Sequence, residues 1–309
     1  MSSKTVVITP YYEDLASKKF CQVLAEEYGS EYSFIIVDDG SVGAPIQESD
    51  LSKHGLNGFI IRLKRNVGHQ NAIAVGLAYA VENIDFEQVV IMDSDGEDQP
   101  KDIQILINVL KENDIDVVVA KRNSRIESLT FKAFYFLYQL LFRVLVGRTI
   151  TFGNFMAMSK LAASRIAQSP ESLSHIAASV LNSKLRMKPI PVDRGARYAG
   201  QSKMNLVSLT LHGIRSIMVF AESVLVRITL FCAAFAGLIF LAMAVMVIAK
   251  IAGFTILGWY STISGILLLL LFQVAIMALL VLLLAGNMRS KPIETMDHNE
   301  FIEQVITIN

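Results

Sequence analysis

Two patterns alternate through the first 120 or so residues of the chain. Short runs of nearly unbroken apolar residues occur at "TVVITP" (5–10), "SFIIVDDGS" (33–41), "GFIIRL" (58–63), "QVVIMD" (88–93) and "DVVVAKR" (116–122). Helical periodicity fills the intervals over 15–27, 71–81 and 103–112. Strands that are apolar on both faces and alternate with helices predict an α/β domain with a mostly parallel, doubly covered sheet. Such sheets bind ligands beyond the carboxyl ends of their strands. Asp38, Asp39, Asp93 and Asp95 all fall at such ends.

The pattern then changes. Residues 129–147, "LTFKAFYFLYQLLFRVLVG", are very apolar but interrupted by Lys132 and Arg143. They read either as a core helix or as a helix lying in a membrane interface, and 208–226 is a second interfacial candidate. Residues 228–249 and 263–286 carry no charge, and Gln273 is the most polar side chain of the second segment. As helices rising about 1.5 Å per residue, each reaches across a hydrocarbon core of roughly 30 Å. A pair of core helices is the alternative, but helices of that kind keep one polar face. Arg215 and Arg227 precede the first segment and Arg289 and Lys291 follow the second, whereas only Lys250 lies between. That asymmetry predicts two spans with both flanks cytoplasmic.

Composition adds little to this picture. Lys and Arg (28) balance Asp and Glu (28), so no basic excess points to nucleic acid, which is not an expected partner. The two cysteines, Cys21 and Cys232, support no disulfide framework and suit a reducing compartment. "MSSKTVVITP" runs directly into a strand without a signal-peptide pattern.

The candidate chemistry starts at "VVIMDSDGEDQP" (89–100), where a buried strand ends in four carboxylates, Asp93, Asp95, Glu97 and Asp98. Crowded like charges are costly unless a cation sits among them. A hard divalent ion takes one or two carboxylates together with phosphates and water. Asp-x-Asp in an extended segment points both side chains to one face. The plain alternative is a solvated acidic turn with Asp98 or Asp102 capping the next helix. "KRNVGHQNAIAVGL" (64–77) joins a basic pair, a glycine turn and a helix start, or is a loop with Asn71 as N-cap. "RGARYAGQSKMN" (194–205) is a basic loop suited to phosphates or to a membrane surface. Acids that hold a metal, facing basic residues that hold phosphates, describe a nucleotide-diphosphate site. Neither a Gly-x-Gly-x-x-Gly fingerprint nor a Walker A loop occurs, which argues against a dehydrogenase and a P-loop NTPase.

In order, Asp-Asp-Gly-Ser (38–41), Arg-Asn-x-Gly-His-Gln (65–70), Asp-x-Asp (93–95) and Arg-x-x-Arg-x-x-Gly-x-Ser-Lys (194–203), followed by two apolar helices, resemble the polyprenyl-phosphate glycosyltransferases. These are inverting enzymes of glycosyltransferase family two, with a GT-A, Rossmann-like fold, related to dolichyl-phosphate mannose synthase and the bactoprenol glucosyltransferases. The resemblance covers nearly the whole chain. It implies a cytoplasmic catalytic domain over 1–205 and a juxtamembrane amphipathic helix over 206–227. Spans at 228–249 and 263–286 and a cytoplasmic tail over 287–309 follow, in an inner membrane. It implies transfer of a sugar from a nucleotide sugar, by analogy a UDP-sugar, to polyprenyl (undecaprenyl) phosphate with Mg²⁺ or Mn²⁺.

By the same resemblance the nucleotide sugar meets Pro10, Asp38, Asp39, Arg65, Asn66, Gln70, Asp93 and Ser94. The metal meets Asp93, Asp95 and Glu97, the last standing where the family usually has glutamine. Arg122, Arg125, Arg194, Arg197, Ser202 and Lys203 meet donor or acceptor phosphates, and Asp95, Asn154 and Arg122 form the catalytic set. One departure concerns Gly-Asp-Phe-Arg, common in the family: here "GNFM" (153–156) puts Asn154 and Met156 at its acid and arginine. Loss of that acid is compatible with turnover, because a phosphate monoester with a second pKa of about 6 is already ionised and needs no strong base. A polysaccharide-elongating transferase is a second reading, but its Gln-x-x-Arg-Trp signature is missing and the single tryptophan, Trp259, lies in the predicted external loop. A degenerate transferase acting as a membrane scaffold is a third. The bilayer is an expected partner, and the strand-like end of the tail can pair with a second copy of the chain.

Overall fold

A computed structural model describes residues 5–13, 17–112, 114–122, 129–198, 206–254, 258–290 and 297–308. The chain forms two compact units. The first takes residues up to 136, 149–219 and those from 295 onward; the second takes 137–148 and 220–294.

The first unit is built on one eight-stranded sheet. Its strands are β1 (Thr5–Tyr11), β2 (Ser33–Asp38), β3 (Asn57–Leu63), β4 (Gln88–Ile91), β5 (Val117–Arg122), β6 (Met156–Ser159), β7 (Met187–Val192) and β8 (Ile302–Ile308). They lie in the order β7-β5-β6-β4-β1-β2-β3-β8. Only β6 and β8 run against the others. The predicted α/β fold with a mostly parallel sheet is therefore the observed one.

The strands are apolar throughout because both faces are covered. Val6, Ile8, Ile35 and Val37 pack toward α3 (His69–Asn83), α6 (Lys160–Ala167) and α7 (Ile176–Asn182). The alternate residues Val7, Phe34 and Ile36 pack toward α1 (Ser17–Tyr28) and α4 (Asp102–Leu110) through Phe20, Leu24, Leu106 and Ile107. A short α2 (Glu48–Ser52) adds Leu51 to that second layer.

One sheet edge is blunted. β7 carries Pro189 and Pro191, which have no N–H to offer a further strand. At the other edge β8 pairs antiparallel with β3, Ile60 opposite Ile306 and Gly58 opposite Ile308. The strand-like tail, which was expected to be able to pair with a second copy, pairs on one side with β3 of the same chain and is itself the outermost strand of the sheet.

The other helices are α5 (Leu129–Val146), α8 (Leu206–Met218), α9 (Ala221–Ile251) and α10 (Trp259–Ser290). In the second unit α9 and α10 pack against each other. Both are long and apolar enough to cross a membrane, and only 6% of the most apolar window of each is buried. A core helix would be buried, so that reading is set aside. Lys250 lies over the ring of Tyr260 at 4.1 Å, pairing the adjoining helix ends. The Arg227 guanidinium approaches the Val144 carbonyl at 3.5 Å, a cation at the carboxyl end of α5.

Candidate active site

The carboxyl ends of β1, β2 and β4 meet at one edge of the sheet, where Tyr11 is in register with Asp38. Asp38 and Asp39 are both buried there. Asp38 Oδ1 accepts from the Ser41 N–H at 3.0 Å. Asp39 accepts from the Val67 N–H at 2.6 Å and the Gly68 N–H at 2.9 Å, fixing the loop that leads into α3. Burial raises both carboxyl pKa values, opposed by these hydrogen bonds. The predicted Asn71 cap is not formed: Gly68 is the N-cap, and Asn71 Nδ2 donates to the Val67 carbonyl at 2.7 Å. Gly40 sits at φ 71°, and a Cβ there would lie 2.6 Å from the backbone of Arg65 and Asn66, so the two loops touch only because that residue is glycine.

Beside these acids is an open cleft of ≈ 200 Å³ lined by Pro10, Tyr11, Tyr12, Asp39, Asn66, Gly68 and His69. Glu13, which was not anticipated, holds its outer loop. Its carboxylate accepts from Val42, Gly43 and Ala44 N–H groups at 2.6, 2.7 and 2.6 Å. Of the predicted nucleotide residues, Pro10, Asp39 and Asn66 line this cleft. Ser94 Oγ reaches the Pro10 carbonyl at 3.4 Å. Arg65 is exposed on the adjoining loop.

The acidic cluster is a turn and not an extended segment. β4 ends at Ile91, and carboxylates fold the following residues by accepting backbone N–H groups. Asp98 accepts from Asp93 N at 3.1 Å, and Asp95 from Glu97 N at 2.9 Å. The expectation that Asp-x-Asp shares one strand face is thereby corrected. Asp98 faces back into the turn, and α4 has Lys101 at its N-cap with no side-chain cap. Asp93 Oδ1 lies 3.2 Å from His69 Nε2, whereas Asp95 Oδ2 lies 3.0 Å from Arg197 Nη2.

The basic loop packs directly on this turn. Arg197 Nε donates to Glu97 Oε1 at 2.8 Å, and Arg194 pairs with Glu97 Oε2. Gly195 N donates to the Glu97 carbonyl and Tyr198 N to the Asp95 carbonyl, each at 2.9 Å. Gly96, at φ 90°, lies beneath the Tyr198 ring, which a Cβ would meet at 2.8 Å. The predicted juxtaposition of acids and arginines is present, and it takes the form of direct ion pairs. Among the described residues no three His, Cys, Asp or Glu side chains are gathered as a metal-holding group. Glu97 faces the arginines, so the predicted trio Asp93, Asp95 and Glu97 does not converge. Two oxygen-donor carboxylates remain on the rim, side chains 26% and 23% exposed, a donor set that fits Mg²⁺ or Mn²⁺ when diphosphate oxygens complete the shell.

A polar chain runs inward from Asp93. Asn154 Nδ2 is 3.1 Å from His69 Nε2, and Gln70 Nε2 donates to Asn154 Oδ1 at 3.3 Å. Gln70 Oε1 then accepts from Ile176 N, at the start of α7, at 2.8 Å. An Nε2–H aimed at Asp93 and a lone pair aimed at Asn154 exclude each other, so the ring proton decides which neighbour His69 holds. Burial opposes charge on His69, but Asp93, Asp95 and Asp39 outweigh it and raise its pKa. Met156 is fully buried as the first residue of β6, opposite Ile91 and Val119. Sequence reasoning missed His69 although it stood inside the quoted 65–70 motif. Arg122 ends β5 in register with Val192, and its side chain lies outside the described residues, as do Arg125, Ser202 and Lys203.

A mostly parallel sheet with acids and a basic loop at its carboxyl edge defines a GT-A-type nucleotide-sugar fold. The family model for glycosyl transferase family 2 matches residues 5–165, and the chain belongs to that family. It is 29% identical over 290 residues to the uncharacterized glycosyltransferase YkcC of Bacillus subtilis, covering 86% of this chain and 85% of that one. It is 30% identical over 104 residues to a dodecaprenyl-phosphate galacturonate synthase of Rhizobium johnstonii, covering 33% of this chain and 30% of that one. Among solved structures, the glucosyl-3-phosphoglycerate synthase of Mycobacterium tuberculosis in complex with Mg²⁺ and UDP superposes with a TM-score of 0.52 at 13% identity, over 72% of this chain and 79% of that one.

Proposed function

We propose that this chain transfers a sugar from a nucleotide sugar, in the first instance a UDP-sugar, to a polyprenyl phosphate, with inversion at the anomeric carbon. The observation that carries the reading is the paired set Asp95–Arg197 and Glu97–Arg194 at the sheet's carboxyl edge. These ion pairs support the reading because carboxylates able to hold a cation lie in direct contact with guanidinium groups able to hold phosphates. The cleft by Asp39, Asn66 and His69 takes the nucleoside. Asp93 and Asp95 would hold Mg²⁺ or Mn²⁺, which when bound screens the diphosphate and stabilises it as a leaving group. Arg194 and Arg197, with Ser202 and Lys203, then hold the phosphates. Asn154 lies one contact from His69 and Gln70 and orients the reacting groups without acting as a base. An ionised acceptor phosphate needs alignment more than deprotonation.

Support for a lipid acceptor comes from the two membrane-length helices and from the Rhizobium relative's name. A substrate with a long apolar tail is available only at a bilayer. In this reading the catalytic unit faces the cytoplasm, as the flanking Arg215, Arg227, Arg289 and Lys291 favour. The decisive experiment offers purified protein a panel of labelled nucleotide sugars with undecaprenyl phosphate, with and without EDTA. A chelator-sensitive, lipid-extractable product is expected; its absence across the panel sinks the proposal. Asn154 and buried Met156 favour one competing reading, a non-catalytic scaffold. Mn²⁺-dependent UDP binding that Asp95→Ala abolishes would argue against it.

A further inference from the structure

We propose that Glu97 is a positioning residue and not a third metal ligand: it keeps the Arg197 guanidinium on Asp95 as a built-in counter-cation, which Asp95 exchanges for a divalent ion when the donor binds. This rests on the donor-binding reading above. Three observations carry it.

The Glu97 carboxylate has both oxygens on arginines, Oε1 on Arg197 Nε at 2.8 Å and Oε2 on Arg194, and its side chain is only 13% exposed. Arg197 bridges the two acids, since its Nη2 also lies 3.0 Å from Asp95 Oδ2. The loops that carry these groups are joined by backbone. Gly195 N to Glu97 O and Tyr198 N to Asp95 O are both 2.9 Å, and Gln99 Nε2 donates to the Asp193 carbonyl at 3.0 Å. Side-chain ion pairs can therefore exchange while the loops stay docked.

The charges allow the exchange. Asp95, Glu97, Arg194 and Arg197 sum to zero, and so does a diphosphate diester dianion with one divalent cation. The exchange therefore leaves the net charge of the site, Asp93 included, as it was before the donor bound. Arg197 keeps its Nε on Glu97 and turns its Nη2 from Asp95 to a phosphate oxygen, a short swing about a fixed hydrogen bond. Arg194 remains paired beside it. Glu97 thus decides how firmly Asp95 is occupied, and so how much metal is needed to displace the arginine.

The two possible roles of Glu97 predict opposite signs. Full-length protein in lipid nanodiscs is titrated with Mn²⁺ alone, free Mn²⁺ being read by electron paramagnetic resonance. UDP is then titrated calorimetrically at saturating Mn²⁺. Glu97→Gln is expected to lower the half-saturating Mn²⁺ concentration about three- to tenfold, because a neutral amide holds Arg197 less firmly. Arg197→Gln is expected to bind Mn²⁺ more tightly yet UDP about tenfold more weakly, since one guanidinium is both the metal's competitor and the phosphate's partner. A merely structural role would not move the two affinities in opposite directions. A higher Mn²⁺ requirement in Glu97→Gln, or parallel loss of both affinities in Arg197→Gln, overturns the inference while leaving the donor reading intact. Absence of Mn²⁺-dependent UDP binding in the wild type overturns both.

Discussion

At the scale of single residues, Asn154 shows how chemistry can survive the loss of a charge. A carboxylate at that position would lie close to Asp93 across His69, whereas the amide joins His69 to Gln70 without adding negative charge. Asn154→Ala is expected to lower kcat about tenfold, the kinetic equivalent of one hydrogen bond, with the affinity for UDP unchanged. Steady-state kinetics beside calorimetry would check it, and a matching loss of UDP affinity would refute it. The acids themselves were legible in the sequence, because like charges crowded at the end of a buried strand repel one another and need a counter-charge to stay there. Their partners were not. Arg197 lies a hundred residues from Glu97 along the chain, and only the folded sheet brings the two together. Asp39, read as a ligand contact and lining the cleft, also has both oxygens on backbone amides, a role that residue type alone does not announce.

At the scale of elements, legibility followed length and composition. β1 to β5 were readable as unbroken apolar runs. β6 was not: it has four residues, Met-Ala-Met-Ser, and becomes a strand because β4 and β5 flank it. β7 was hidden by its two prolines, which are tolerated only because it is an edge. α7 holds an equally hidden element of stability. His175 is its N-cap, Nδ1 accepting from Ala178 N at 3.3 Å, and its ring lies 4.4 Å from that of His212 on α8. Burial first, and then the charge of His212, pushes the His175 pKa down to about 3. The unfolded chain, with a histidine pKa of about 6.5, binds the proton more readily across the interval between those values. Stability supplied by neutral His175 is therefore complete above about pH 6.5 and is lost as the pH falls toward about 3. Thermal or denaturant unfolding from pH 7 to 5 should show a decline approaching about 1.4 kcal/mol per pH unit. His175→Asn keeps a capping acceptor and should flatten that decline; an unchanged acid slope would refute the assignment.

At the scale of the whole molecule, connectivity constrains membrane topology. The chain leaves the first unit before α9 and rejoins its sheet as β8 after α10. If α9 crosses a bilayer, α10 must cross back. In a background with Cys21 and Cys232 replaced by serine, Phe254→Cys and Glu303→Cys should react with impermeant maleimide from opposite faces of sealed vesicles. Labelling of both from one face would rule out the two-span arrangement. Charge asymmetry in the sequence had suggested the same path, but it could not reveal that the returning segment is part of the sheet.

That returning strand also sets an order of events during synthesis. β3 leaves the ribosome early, and the segment that covers its edge follows only after both greasy helices have been made. Until then the nascent domain carries an open flank. Where α9 and α10 cross a bilayer, failure of either to insert would leave β8 on the face opposite β3 and that flank open, so closure of the sheet would depend on passage of both helices.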